Sequence, residues 1–274
     1  MLFALAWGRR FGKKIILFSE STEADCVRFP WKERLKSYLV KQYGSALVGG
    51  KPQKRYMVKL GMPEEAIFFG YNVVGNDTFH PGKIRQLPRP LAPPYFLTIN
   101  RFIPKKNLPF LIDAYAAYRH IAGHGAWHLV LCGDGPLGLQ LEQQINTLGL
   151  GAVIHLPGFL QQEDLLPYFA HASCFIHAST HEPWGLVVNE AMAAGLPVLV
   201  SNRCGCFEDL VIEGLNGFGF DPENQHQLVN LMVQASSRQV DLTAMGQASL
   251  VHIQNYDPAY FAQGLKQAID YVTS

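Results

Sequence analysis

Apolar residues fall along this chain in two alternating patterns: short unbroken runs, and longer stretches in which they recur every three or four positions. The first pattern predicts strands buried on both faces, the second amphipathic helices. Short strands are predicted at residues 14–18, 46–48 and 66–69, with a helix over 31–42. Further strands are predicted at 95–99, 128–132, 153–156, 174–177 and 197–200. Helices are predicted near 108–120, 137–148, 163–170 and 186–194, followed by three amphipathic helical stretches ending near Val272. Within the 137–148 helix, Leu137, Leu141, Ile145 and Leu148 recur at helical spacing and predict one buried face. Alternating strands and helices imply an α/β protein with parallel sheets covered on both sides.

Between Pro81 and Pro94 repeated Pro and Gly cannot sustain a helix or a central strand, which predicts a linker there. A first small α/β region therefore precedes a doubly wound domain that begins near residue 89 and runs to about 255.

Composition narrows the function classes. The 274 residues carry 23 Lys plus Arg against 22 Asp plus Glu, a net charge of +1, so no overall field attracts nucleic acid. The longest apolar runs, such as 15–18 and 186–188, fall far short of the roughly 20 residues of a spanning helix, so no transmembrane segment is expected. The apolar stretch Met1 to Trp7 is followed rather than preceded by Arg9, Arg10, Lys13 and Lys14, the reverse of a secretory signal. A cytoplasmic protein is expected. Five cysteines make an odd number, and Cys26, Cys132 and Cys174 sit where free thiols pack as small hydrophobes. Cys204 and Cys206 have no second ligand pair at suitable spacing, so a structural zinc is not expected. His177 and His181 are four apart, but the intervening Ser-Thr and the following Glu-Pro argue against one helix holding both; most histidines read as surface or satisfied core groups. The run Arg28-Phe29-Pro30-Trp31-Lys32 suits either a membrane surface or partner, or, more simply, a solvated helix start.

Open parallel sheets bind ligands outside the carboxyl ends of their strands, which directs attention to four loops. After the 95–99 strand, N-R-F-I-P-K-K-N places Arg101 and Lys106 around a turn before a helix, where two cations suit a diphosphate. Alone, the segment reads more readily as a solvated basic loop. Gly133-Asp134-Gly135-Pro136 allows close backbone approach to a ligand, or is a plain strand-to-helix connection. After the 174–177 strand, Glu182 and Glu190 flank a helix start at which the amides of Gly185 and Leu186 suit a phosphate. Glu190 suits a ribose diol and Glu182 a sugar ring, unless they are merely a helix-face charge and an N-terminal charge. The small and apolar residues 191–194 around Glu190 mean that a charge there needs partners. In the fourth loop, after Val200, Glu208 either approaches the same ligand or caps a turn.

Taken together these residues resemble the retaining nucleotide-sugar glycosyltransferases of GT-B architecture, the group 1 or family 4-like enzymes with two facing Rossmann-like domains. The resemblance rests on Glu182, Gly185 and Glu190 at the family's spacing, on Gly133-Asp134-Gly135-Pro136, on Gly195-Leu196-Pro197-Val198, and on Asn216-Gly217. The family's basic loop reads G-R, four residues, then K-G; here Asn100-Arg101 and Lys106-Asn107 keep both cations and replace both glycines. The resemblance implies a partial N-terminal, acceptor-side α/β domain with linker over 1–88, with landmarks at Ser19-Glu20-Ser21 and Tyr71-Asn72-Val73-Val74. It implies a nucleotide-sugar-binding Rossmann-like domain over 89–255 and a helix over 256–274 that crosses back. The domain's front part, with much of the acceptor site, is absent on this reading, and another chain is a candidate to supply it. Activity is implied to be transfer from a nucleoside diphosphate sugar to an unknown sugar, lipid or small-molecule acceptor with retention. Arg101, Lys106 and Glu182 would act in catalysis, while Gly133, Gly135, Gly185, Leu186 and Glu190 would bind the donor, with no metal or other cofactor required. Two other readings are a non-catalytic nucleotide-sugar-binding or assembly module and, less consistent with the basic loop, a nucleotide-sugar epimerase.

Overall fold

The computed structural model describes residues 2–25, 28–237 and 239–274. The reading of Cys26 as a packed thiol lies outside them. Two parallel sheets form the framework. The smaller has the order β1 (Ile16–Ser19), β2 (Ser45–Val48), β3 (Ile67–Phe69). Its middle strand is buried throughout, as a strand covered on both faces must be.

The larger sheet contains β4 (Tyr95–Ile99), β5 (His128–Cys132), β6 (Ile154–Gly158), β7 (Cys174–His177), β8 (Val198–Ser201) and β9 (Gly217–Phe220). Its order is β6-β5-β4-β7-β8-β9, with every pairing parallel. The chain runs outward from β4 through β5 to β6, then returns to the other flank of β4 for β7. A crevice therefore opens beyond the carboxyl ends of β4 and β7, the switch point of a doubly wound sheet. Two apolar layers sandwich the sheet: one centres on Leu111, Tyr115 and Leu228, the other on Val188, Met192 and Phe175.

Several elements differ from the sequence expectation, each for a visible reason. Pro81–Ile84 forms one helical turn inside the expected linker, because Pro81 occupies the first helical position, where its missing N–H costs nothing, and the His80 ring accepts from the Gly82 amide. Leu148 lies beyond the Gly138–Thr147 helix and is 42% exposed, so the buried face of that helix stops at Ile145. Strand β9 and the helices Leu2–Phe11 and Lys51–Lys59 had not been anticipated. At residues 28–32, Pro30 opens the Pro30–Val40 helix, Trp31 is exposed, and Lys32 lies over the Phe29 and Trp31 rings. No helix among the described residues is long and apolar enough to cross a membrane.

The final helix, Pro258–Thr273, packs on β2 and β3, and the Ser45 hydroxyl donates to the Ala268 carbonyl at 3.0 Å. Gly264 permits this closeness, since a Cβ there would lie 1.7 Å from the Phe69 carbonyl oxygen. Gly264→Ala is expected to destabilise the protein by about 2–3 kcal/mol, read as a lowered midpoint in urea unfolding. An unchanged midpoint would mean that this helix does not sit on the smaller sheet.

Candidate functional site

The crevice holds a cavity of about 470 Å³, within the size range of small-molecule sites. The loops after β4 and β5 form its floor and are zipped together: Asn100 N–H donates to the Cys132 carbonyl at 2.9 Å and Phe102 N–H to the Asp134 carbonyl at 2.8 Å. Gly133 makes this possible, with φ of 135° and a hypothetical Cβ only 1.8 Å from the Asn100 carbonyl oxygen. Gly133 lines the cavity. Gly135 does not: it presses on the backbone of Phe102, so its closeness serves the loop rather than a ligand.

Arg101, Lys105 and Lys106 all line the cavity. Arg101 is exposed, and its guanidinium has no hydrogen-bond or ion-pair partner among the described residues. Both lysines are committed. The Lys106 ammonium pairs with Glu182 Oε2, and Lys105 Nζ lies 3.2 Å from Glu182 Oε1. Lys105 had escaped the sequence reading, although it adjoins Lys106; its carbonyl also accepts from the Thr180 amide at 2.9 Å, tying the basic loop to the one after β7. Asn107, which stands where the related basic loop has glycine, adopts φ of 58°. That left-handed conformation is open to Asn as well as Gly, so the replacement preserves the turn.

After β7 the chain carries Glu182, Pro183 and Trp184 along one wall to Gly185, whose φ of 105° turns it into the Leu186–Ala193 helix. Leu186 and Val187, in the first turn of that helix, also face the cavity. Burial tends to raise the pKa of Glu182, but the Lys106 hydrogen bond and the charges of Lys106 and Lys105 outweigh it and hold the carboxyl below its ordinary value. Beneath lies His177. Fully buried, it is driven down to about 3, mainly by desolvation and then by the Lys106 charge, so the ring is neutral. The expectation that most histidines are surface or satisfied core groups does not extend to it, because its Nδ1 has no partner among the described residues.

Glu190 lies one turn beyond Leu186 and is not itself on the cavity surface. A charge at this position was expected to find partners; among the described residues its carboxylate has none, and burial lifts its pKa to about 7. The fourth loop turns elsewhere. Glu208 forms a forked ion pair with Arg55, at 2.7 and 2.6 Å, and is absent from the cavity lining.

The arrangement thus brings Arg101, Lys106, Glu182, Gly133, Gly185 and Leu186 around one space and leaves Gly135, Glu190 and Glu208 off its surface. Five further contributors were not assigned a role from sequence. Phe159 and Leu165 form an apolar side, Glu20 and Asn72 reach in from the smaller sheet, and Trp184 donates its Nε1 hydrogen to Asn189 Oδ1 at 2.9 Å.

Comparison with known proteins supplies a family. The model described as "Glycosyl transferases group 1" matches residues 81–250, well over half of the chain. The lipopolysaccharide core biosynthesis glycosyltransferase LpsE of Rhizobium meliloti is 30% identical over 169 residues, which cover 61% of this chain and 47% of that protein. Mannosylfructose-phosphate synthase of Agrobacterium fabrum is 27% identical over 138 residues, covering 48% and 30% respectively. The matched part thus spans less than half of these curated relatives. Among solved structures, Anabaena HepE in complex with UDP superposes with a TM-score of 0.82 at 21% identity, covering 97% of this chain and 75% of that one. A sucrose-phosphate synthase from Thermosynechococcus elongatus gives 0.79 at 20%, covering 98% and 70%. At these identities the structural likeness is one of fold.

Proposed function

This chain belongs to the glycosyl transferases of group 1 and has their GT-B fold, and we propose that it moves a sugar from a nucleoside diphosphate sugar to an acceptor with retention at the anomeric carbon. The observation that carries this reading is the meeting of an uncommitted Arg101 with the Lys105–Lys106–Glu182 cluster in one cavity at the switch point. Glu182 pairs with both lysines, which leaves the Arg101 guanidinium without a carboxylate partner among the described residues. A diphosphate between Arg101 and the lysines supplies the missing charge, with the first-turn amides of Gly185 and Leu186 beside it. As the diphosphate draws the lysines away, Glu182 is released to accept hydrogen bonds from the sugar hydroxyls. The ion pairing of the empty site is thereby exchanged rather than lost.

Phe159 and Leu165 offer the nucleobase an apolar surface, and Glu190, one helical turn beyond the Leu186 that lines the cavity and short of donors, takes the ribose hydroxyls where the nucleoside extends past that lining over the Leu186 turn. In the reaction the fixed cations stabilise charge on the departing diphosphate, an electrostatic contribution that needs no reorganisation at the moment of bond breaking.

Calorimetry with UDP, paired with product analysis of UDP-glucose turnover by NMR, tests the reading. Saturable UDP binding and release of sugar in the donor's anomeric configuration are expected. Binding without sugar release would instead identify a nucleotide-sugar-binding module, an inverted product would remove retention, and an epimerised nucleotide sugar would indicate an epimerase.

A further inference from the structure

The charged groups of the cavity divide unevenly between the sheets: the larger supplies cations together with the carboxylates Asp134 and Glu182, and the smaller supplies one carboxylate and no cation among the described residues. All three of its lining cations come from the loop after β4, whereas the smaller sheet contributes Glu20, immediately after β1, and Asn72, just beyond β3. Asn72 is 3% exposed, and its Nδ2 donates to Glu20 Oε1 at 2.9 Å while its own Oδ1 has no partner among the described residues. Its backbone carbonyl accepts from Asn189 Nδ2 at 3.5 Å, and Asn189 in turn accepts from Trp184. Glu20 is therefore linked through Asn72 to the wall that begins at Glu182.

The loop behind Glu20 is braced more firmly than a solvated turn requires. The Thr22 amide donates to Asp25 Oδ2 at 3.1 Å, and Arg28 donates to both Asp25 and the Thr22 carbonyl. Arg28 Nη1 also donates to the Tyr56 hydroxyl at 2.8 Å, and that hydroxyl donates to Glu33 Oε2 at 2.7 Å. Tyr56 is 2% exposed, so the brace is anchored in the core of the smaller unit.

We propose that Glu20, held by Asn72, selects the acceptor: its carboxylate takes hydrogen bonds from the hydroxyls of an uncharged glycoside or polyol and excludes acceptors that bring a phosphate to this end of the cavity. A carboxylate only accepts hydrogen bonds, so the group that satisfies Glu20 must donate. A phosphate meets a like charge here and finds no lysine, arginine or histidine from the smaller unit among the described lining residues. The three cations opposite are engaged by the donor's diphosphate. This assignment rests on the cavity being the nucleotide-sugar site.

The test uses UDP-saturated protein and two probes at equal concentration, methyl α-D-glucopyranoside and glucose 6-phosphate, with binding read by saturation-transfer NMR. The wild type is expected to favour the glycoside at least tenfold. Glu20→Gln should weaken the glycoside several-fold, Glu20→Lys should reverse the preference, and both variants should keep UDP affinity within about twofold. Binding of neither probe, equal binding, a preference for the phosphate, or an unchanged preference in Glu20→Lys overturns the assignment. Failure of the wild type to bind UDP would instead overturn the donor reading beneath it.

Discussion

Lys106→Ala is expected to weaken UDP binding by about a hundredfold, close to 3 kcal/mol, while the protein still folds. The side chain of Lys106 is 13% exposed and faces a Glu182 side chain that is 12% exposed, so its charge acts where water screens poorly. Lys105, at 31%, is better solvated and lies farther from the carboxylate, which predicts a smaller loss, about tenfold, for Lys105→Ala. Folding should survive either change, because one lysine remains beside Glu182. Calorimetry measures the affinities and urea unfolding of the free protein checks the fold. Rising ionic strength should weaken wild-type binding and narrow the gap between variants, since both effects are electrostatic. A Lys106→Ala protein that binds UDP like the wild type would show that the basic loop does not hold the diphosphate.

The relation of sequence to structure explains why that loop was noticed and its neighbour was not. The runs Tyr95–Ile99 and His128–Cys132 coincide with β4 and β5 to the residue, because a strand covered by helices on both faces must be apolar at nearly every position. Gly217–Phe220 pairs with β8 just as fully, but half of its residues are glycine, so its hydrogen-bonded role leaves little apolar signal. The Lys51–Lys59 helix is mostly polar and buries Gln53 alongside Tyr56 and Met57, so its short buried stripe is partly polar and carries a weaker apolar signal than the longer helices.

In the site, Arg101, Lys106 and Glu182 were visible because charged residues stand out in loops that directly follow buried strands. Their partnership was not visible. Glu182 lies 76 residues from Lys106 in sequence, and only the adjacency of β4 and β7 brings them together. Glu20 and Asn72, 52 residues apart, meet because β1 and β3 flank β2 and end at the same edge. Spacing within a loop is written locally; which loops share a rim depends on strand order.

Glu190→Gln is expected to stabilise the nucleotide-free protein above pH 7 by about 1–3 kcal/mol while weakening its hold on the nucleoside. Burial raises the Glu190 carboxyl from 4.5 to about 7 with no compensating partner, a shift worth roughly 3 kcal/mol. Between these values the folded protein keeps a proton that the unfolded chain has released. Stability from this group is therefore complete below pH 4.5, declines as pH rises, and is lost above about 7. Glutamine removes the titration, so urea unfolding midpoints of wild type and variant should nearly coincide at pH 4 and separate at pH 8, with the variant the more stable. A neutral amide is a poorer acceptor for two ribose hydroxyls than a carboxylate, which predicts about a tenfold loss of UDP affinity at pH 8. Inorganic pyrophosphate lacks the ribose, so its binding should be unaffected. The opposing directions exclude a merely structural role, since a residue kept for the fold would not destabilise it when charged. A variant less stable than the wild type at pH 8 would mean that the carboxylate has a partner in the free protein. Equal losses for UDP and pyrophosphate would place Glu190 beside the phosphates instead of the sugar.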